Sequence, residues 1–198
     1  MDFGKNLKQS DAVPSDNNYC GGYAMAAILN DRDDTDQWNP KAVYDSLLKQ
    51  QTEVDVPLQN MLQKKKLKGT DIVLPSSLML FAYANGFAVE LLYAKSLPFP
   101  PVIIQAEKQR CQSKGTVKEL GSKATVLQYF SDESIKYSLV LISNHNHWVA
   151  VKRKSDNNHF SVYNPATGVC NNVNDGSELV EYLGSIDSAA GDLIITLK

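Results

Sequence analysis

The chain has 198 residues, of which 43% are hydrophobic and 21% are charged, a composition typical of a globular protein that buries one core. Its 20 Lys and Arg residues nearly balance its 22 Asp and Glu residues, so the formal net charge is -2. Binding to duplex nucleic acid or to an anionic membrane requires a basic field that this charge does not supply. We therefore expect neither as a partner.

The three cysteines, Cys20, Cys111 and Cys170, fit neither a disulfide framework nor a structural zinc site, because their number is odd and their spacing irregular. At least one thiol is therefore unpaired. His145-Asn146-His147 is not a zinc-binding spacing, and Cys20-Gly21-Gly22 lacks the lysine of a phosphate-binding loop. We predict no metal and no cofactor.

The first eight residues never reach the apolar run of about 7 to 15 residues that a secretory signal needs. The most apolar stretch, Leu78 to Ala94, contains Asn85-Gly86 and Glu90 and is shorter than the roughly 20 residues that span a bilayer. We expect no transmembrane helix. The chain is then cytoplasmic, or it is secreted or injected as an effector or as a domain excised from a larger protein.

Helical patterns dominate the first half of the chain. Cys20 to Leu29 is apolar nearly all round, as in a buried helix. Asn39-Pro40 supplies an N-cap and a first-turn proline for a second helix. A third helix is predicted over Leu58 to Leu67, and a fourth runs from Pro75 to the stop signal Asn85-Gly86.

Strand patterns dominate the second half. Phe87 to Tyr93 predicts a first strand, whereas Val102 to Gln112 fits a strand or a helix. Four further strands are predicted over Ser138 to Ser143, Trp148 to Arg153, Phe160 to Tyr163 and Asp192 to Leu197. These patterns predict an α+β fold in a single domain. Its helical lobe covers about residues 1–95 and its β lobe about residues 130–198, with an unassigned connection over 96–129.

Cys20 begins the first predicted helix, where unpaired N–H groups and the helix dipole favour the thiolate form of a cysteine. Gly21 and Gly22 follow it, and each costs a helix about 1 kcal/mol relative to alanine. We attribute this cost to the access of a substrate to the sulfur. The alternative is a structural cysteine on a buried apolar helix.

A histidine and an asparagine lie at one end of a predicted hairpin whose polar turn is residues 154–157. In the register that pairs Val149 with Val162, His147 faces Asn164 on the apolar face of the hairpin. A register shifted by two residues keeps both on that face but offsets the pair. An amide beside an imidazole fixes the tautomer and orientation that a catalytic base needs.

Cys20, His147 and Asn164 follow one another in the order nucleophile, base and orienting amide. Residues 20–30 match the pattern C-x-G-Y-x-M-x-A-x-L-N, residues 147–151 read H-W-V-A-V, and residues 163–165 read Y-N-P. These blocks resemble the papain-like cysteine peptidases, above all the bacterial staphopain group. Asn164-Pro165-Ala166-Thr167-Gly168 is also similar to the D-P-x-x-G block of bacteriocin-processing peptidases.

The resemblance implies a papain-like fold, in which an N-terminal helical lobe with Cys20 packs on a C-terminal antiparallel β lobe with His147 and Asn164. It implies a thiol protease that acts as a monomer on a protein or peptide substrate. A bacterial effector or toxin with a role in virulence, and a cognate inhibitor or immunity protein as partner, fit that group. Tyr19 and Trp148 lie beside the motifs and would bind substrate or pack between the lobes.

The family usually carries an oxyanion-binding glutamine six residues before the nucleophile, but Pro14 occupies that position and has no donor. We therefore predict that the oxyanion is bound by the backbone N–H of Cys20 and by Asn17, with Asn18 as the alternative. Two other functions stay open. The same three residues would serve a glutamine deamidase or transglutaminase, and the proline favours a non-catalytic pseudo-peptidase that binds a partner.

Overall fold

A computed structural model of the chain describes residue 3 and residues 19–54, 73–94, 101–121, 123–142, 147–155, 159–186 and 193–198. The helices in these ranges are α1 (Cys20–Asp33), α2 (Pro40–Val54), α3 (Pro75–Ala84), α4 (Pro101–Gln112), α5 (Lys123–Ser131) and α6 (Gly176–Ile186). The strands are β1 (Val89–Ala94), β2 (Thr116–Leu120), β3 (Tyr137–Ile142), β4 (His147–Arg153), β5 (Phe160–Asn164), β6 (Val169–Val173) and β7 (Leu193–Leu197).

The seven strands form one open sheet in the order β2-β1-β7-β3-β4-β5-β6. Neighbouring strands pair in antiparallel fashion except β1 and β2, which are parallel. The predicted α+β class is therefore confirmed. The predicted antiparallel β lobe over about residues 130–198 does not contain the whole sheet, because β1 and β2 precede residue 130, form one edge of the same sheet and pair in parallel.

Each face of the sheet carries its own core, since successive side chains of a strand point to opposite faces. On one face Trp148 of β4 belongs to the same buried cluster as Met25 of α1, and this cluster also contains residues of α2, α3 and α4. On the other face Val149 lies in a cluster with Phe130 of α5 and Leu183 of α6. The strand β4 therefore lies between two hydrophobic layers.

The predicted helix boundaries hold where local capping is strong. The first helix begins at Cys20 as predicted, although it ends four residues later, at Asp33. The Oδ1 of Asn39 accepts the N–H of Ala42 at 3.1 Å and so caps α2. The fourth predicted helix, α3, ends before Gly86, whose φ of +89° suits glycine. The third predicted helix lies outside the described residues.

The five predicted strands are confirmed to within two residues at each described end, as β1, β3, β4, β5 and β7. The segment that fitted a strand or a helix is the helix α4. Four elements were not predicted: β2, α5, β6 and α6. None of the described helices is long and apolar enough to span a membrane.

Candidate active site

Cys20 is the first residue of α1, and its side chain is buried against β4. The backbone N–H of Trp148 donates to its Sγ at 3.4 Å. Because that N–H belongs to the peptide that follows His147, covalent geometry keeps the sulfur within about 6 Å of the His147 Cα. The packing of α1 on β4 thus brings two of the three predicted site residues to one place.

Burial and backbone donors have opposite effects on the Cys20 thiol. Burial raises its pKa to about 11, although the N–H groups of Trp148, Gly21 and Cys20 itself lower it in part. The N–H groups at the helix start therefore favour the thiolate in the predicted direction, but burial outweighs them. At neutral pH this arrangement favours the protonated thiol.

The two glycines after Cys20 are explained by close packing. A Cβ on Gly21 would lie 2.9 Å from the Cβ of Val73. A Cβ on Gly22 would lie 2.5 Å from the Cβ of Tyr44 and 2.8 Å from the carbonyl oxygen of Pro40. The predicted reason, substrate access, is wrong for these positions, since both α-carbons face neighbouring chain.

The imidazole of His147 is held by the amide of Asn164, with 2.9 Å between Nε2 and Oδ1. The backbone N–H of Ala166 donates to the same Oδ1 at 3.0 Å. A backbone N–H can only donate, so this atom is the amide oxygen and Nε2 must carry the hydrogen. In the neutral ring Nδ1 is then the acceptor, which is the nitrogen that a base would use.

Burial lowers the pKa of His147, and the hydrogen bond to Asn164 raises it in part. The ring is therefore neutral at neutral pH. The Cys20 thiol and the His147 imidazole are therefore both uncharged at neutral pH.

The hairpin that carries these residues has the shifted register. Val151 pairs with Val162 and Ala150 with Tyr163, so the predicted pairing is wrong by two residues. Asn164 is consequently opposite Val149 on the neighbouring strand. His147 therefore contacts Asn164 diagonally across the two strands. The predicted contact exists, although the two residues are not directly opposite.

The turn between β5 and β6 sets the position of Asn164. Its carbonyl oxygen accepts the N–H groups of Thr167 and Gly168 at 3.2 and 2.9 Å, and Gly168 has a φ of +69° that suits glycine. Sequence reasoning missed the N–H of Ala166 as the anchor of the amide. The turn composition of residues 164–168 was the signal available for it.

Comparisons with protein-family models, curated proteins and solved structures found no match for this chain. Function must therefore be inferred from the geometry of Cys20, His147 and Asn164 and from the motifs that contain them.

The aromatic residues beside the motifs have different environments. Trp148 is 1% exposed, and its indole N–H donates to the carbonyl oxygen of Val73 at 3.1 Å. This is the packing role that was the alternative to substrate binding. Tyr19 is partly buried and its ring lies 4.2 Å from that of Tyr44, and its place in a substrate cleft stays a prediction.

The other two cysteines differ in position: Cys111 belongs to α4, whereas Cys170 follows Val169, the strand partner of Asn164. Cys111 is buried in α4, and burial raises the pKa of its thiol well above the usual range. Cys170, expected in the turn after Asn164, is instead part of β6 and pairs with Tyr163 of β5. That neither thiol takes part in the reaction stays a prediction.

The predicted oxyanion donor Asn17 lies outside the described residues, as do Asn18 and Pro14. The assignment of that donor therefore stays a prediction. Within the described part of the chain no group of three His, Cys, Asp or Glu residues is placed to hold a metal ion.

Two described cavities lie apart from the triad. A groove of about 740 Å³ at the far end of β3 and β4 includes Asp31 and Lys152 in its lining. A smaller pocket of about 240 Å³ lies beside Trp38 and Phe81. The described linings of both exclude the three site residues, so neither marks the place where a substrate would meet Cys20.

Proposed function

We propose that the chain is a papain-like thiol amide hydrolase, and specifically a protease that acts on polypeptides. One observation carries the proposal. The sulfur of Cys20 accepts a hydrogen bond from the peptide N–H that follows His147, and the side chain of Asn164 is hydrogen-bonded to Nε2 of the imidazole. These contacts support roles for Cys20 as nucleophile, His147 as base and Asn164 as orienting amide, with Cys20 coming from a distant part of the chain. The motifs around these residues resemble those of bacterial papain-like peptidases.

In the first half of the reaction, His147 Nδ1 takes the proton of the Cys20 thiol as the sulfur attacks the amide carbonyl carbon. The carbonyl π electrons move to oxygen and form the oxyanion. When the oxyanion collapses, the carbon–nitrogen bond breaks and the amine leaves with the proton from His147. The product is a thioester on Cys20.

In the second half, His147 removes a proton from a water molecule that attacks the thioester carbonyl. The carbon–sulfur bond breaks, the acid product leaves, and the sulfur regains its proton from His147. No net charge is left on the enzyme. Asn164 keeps Nε2 protonated in both halves, so Nδ1 always faces the reaction.

The oxyanion needs two donors, and each is worth about 100- to 1,000-fold in rate. The backbone N–H of Cys20, which points toward the sulfur side of the helix start, is one. Asn17 remains our proposal for the second, since Pro14 occupies the position that is usually a glutamine. A protein or peptide substrate, a cognate inhibitor protein and a role as a bacterial effector are part of the same proposal.

A non-catalytic binding role is the second candidate, and the burial of Cys20 is the observation that favours it. The residue is only 4% exposed, and its pKa is raised to about 11. A pseudo-peptidase needs no reactive sulfur. Labelling with an electrophilic peptide separates the two functions, because only a working triad gives a covalent adduct at Cys20.

The test is labelling of the purified chain by a peptide with an electrophilic carbonyl, with the adduct located by mass spectrometry. We expect an adduct on Cys20 that is lost in Cys20→Ala and strongly reduced in His147→Ala. Cys111→Ser is the matched control, because it removes a buried thiol outside the site and should label like the wild type. An adduct on Cys111 or Cys170 instead of Cys20 would contradict the mechanism. If the folded wild type is not labelled, the binding role is favoured.

Mass spectrometry of a proteome treated with the wild-type chain identifies the acyl acceptor. Proteolysis creates new peptide termini, whereas glutamine deamidation increases the mass of a side chain by about one unit without a new terminus. Cys20→Ala serves as the blank. New termini in the wild-type sample alone are the expected result, and deamidated glutamines alone would replace the protease by a deamidase.

A further inference from the structure

A partly buried ion pair joins α1 to β4 at the end of the helix farthest from Cys20. Lys152 Nζ lies 2.6 Å from Asp31 Oδ1, and the two side chains are 17% and 7% exposed. The other carboxylate oxygen accepts the hydroxyl hydrogen of Tyr137, with 2.7 Å between the oxygens. One carboxylate near the end of α1 therefore binds two neighbouring strands, β3 and β4.

The ion pair and the Cys20 contact lie at opposite ends of the same helix and strand. The helix from Cys20 to Asp31 is about 16 Å long at its usual rise, and the strand from Trp148 to Lys152 is about 13 Å long. These lengths are nearly equal, so α1 lies along β4 and contacts it at both ends. A shift of the helix at one end must move the other end as well.

Close contacts of Gly21 with Val73 and of Gly22 with α2 fix the start of α1. From Cys20 to Asn30 all residues except Ala27 are buried, and most of them are small or flexible. Because apolar burial is not directional, this surface does little to resist a shift of the far end of α1 along β4. A charged group buried in a specific pair resists that shift, because moving it leaves a charge without its partner.

We propose that Asp31 and Lys152, with Tyr137, are positioning residues that set the register between the helix of Cys20 and the strand of His147. None of the three touches the reacting atoms. They act by keeping the Cys20 sulfur in contact with the peptide N–H of Trp148, next to His147. The inference rests on the proposed function, because register affects activity only where Cys20 and His147 react together.

The test uses Asp31→Asn, Lys152→Met and the double variant that combines them. Each single change leaves one partner of a buried pair behind, whereas the double variant removes both charges. We expect the melting temperature to fall in the single variants and to recover in part in the double variant. A misplacement of about 1 Å costs roughly 100-fold in rate, so we expect kcat to fall by about 10- to 100-fold in all three, with KM changed less than about threefold.

Matched controls separate register from charge and from surface effects. Lys41→Met and Asp45→Asn make the same changes in an exposed ion pair on α2, whose side chains are both 55% exposed, and should leave kcat unchanged. Lys152→Arg keeps the cation, and the groove in whose wall Lys152 lies leaves room for the larger side chain. It should retain most of the wild-type kcat.

A second readout does not depend on any peptide substrate: the rate at which iodoacetamide alkylates Cys20, measured for the Cys20 peptide by mass spectrometry. We expect this rate to fall in His147→Ala and in the Asp31 and Lys152 variants, but not in the exposed controls. If alkylation of Cys20 in the wild type depends on His147 but the protein has no amidase activity, the proposed function is contradicted and the positioning role is still supported.

Three outcomes would overturn the positioning role. One is wild-type kcat in both single variants. Another is recovery of kcat and of the alkylation rate in the double variant together with its melting temperature, because the pair would then act on stability alone. The third is an alkylation rate that is the same in the wild type and in His147→Ala, which would contradict the proposed function as well.

Discussion

At the scale of single residues, the site is an uncharged pair held by neutral hydrogen bonds. Burial raises the pKa of Cys20 and lowers that of His147, and both shifts favour the protonated thiol and the neutral imidazole. The amide of Asn164 is well suited to this state, because it orients the ring without adding a charge. A carboxylate in its place would favour the imidazolium.

Asn164→Asp tests how a charge at this position changes the pKa of His147. The new carboxylate keeps the acceptor for the N–H of Ala166 but places a negative charge about 3 Å from Nε2. We expect the pKa of His147, which burial holds below 6.5 in the wild type, to rise by about one unit or more. The acid limb of the pH dependence of kcat/KM then moves to higher pH, since the base is protonated at a higher pH.

NMR titration of the His147 ring measures this shift directly and needs no substrate. Asn39→Asp is the control, because aspartate also caps a helix and keeps the acceptor for the N–H of Ala42. An unchanged or lowered pKa of His147 in Asn164→Asp would show that the ring and this side chain do not interact in solution.

At the scale of elements, the packing of α1 against α2 depends on a glycine. Gly22→Ala would place a Cβ 2.5 Å from the Cβ of Tyr44 and 2.8 Å from the backbone oxygen of Pro40. A gain of about 1 kcal/mol in helix propensity competes with an overpacking cost of about 1–3 kcal/mol. The backbone oxygen has no freedom to rotate away, so we expect a net loss of free energy of unfolding.

Gly184→Ala is the matched control, because this glycine also lies in a helix, α6, and an added Cβ has nothing within 4 Å. We expect it to raise the free energy of unfolding by up to about 1 kcal/mol. Urea denaturation of both variants measures the two changes. Equal stabilisation by both alanines would mean that α1 and α2 are not packed as closely as described.

Sequence patterns predicted the elements that have a strong local signal and missed those at the sheet edges. The cap at Asn39 and the stop at Gly86 are local and were predictable. The edge strands β2 and β6 each bury only one of five side chains, so they show no apolar alternation. The helix α6 had an overlooked signal: Asp175 Oδ1 accepts the N–H groups of Ser177 and Glu178 and caps it.

The same limit applies to the site. The identities of Cys20, His147 and Asn164 followed from motifs, whereas the hairpin register did not, because the alternation of Val149, Val151 and Val162 is the same after a shift of two residues. The burial of the sulfur was also unpredictable, since it depends on how a distant strand packs on the helix. Local sequence motifs identify the residue types of the site, but the pKa of Cys20 depends on tertiary packing.

At the scale of the whole molecule, the sheet separates the core that contains α1 and Cys20 from the core that contains Val149 and α6. Leu29 of α1 is fully buried on the face that carries Cys20, and Leu183 of α6 is 2% exposed on the opposite face. Both leucines stabilise the fold by similar burial. Only the first belongs to the helix that positions the sulfur.

We therefore expect Leu29→Ala and Leu183→Ala to lower the free energy of unfolding by similar amounts, about 2–5 kcal/mol each. Their effects on the site should differ. Leu29→Ala leaves a cavity under α1, which lets the helix shift and slows the alkylation of Cys20 in the folded protein. Leu183→Ala leaves its cavity beyond the sheet, so the rate should stay at the wild-type value at temperatures well below unfolding. Equal loss of Cys20 reactivity in both variants would contradict the separation, since it would show that reactivity follows global stability rather than the layer that contains α1.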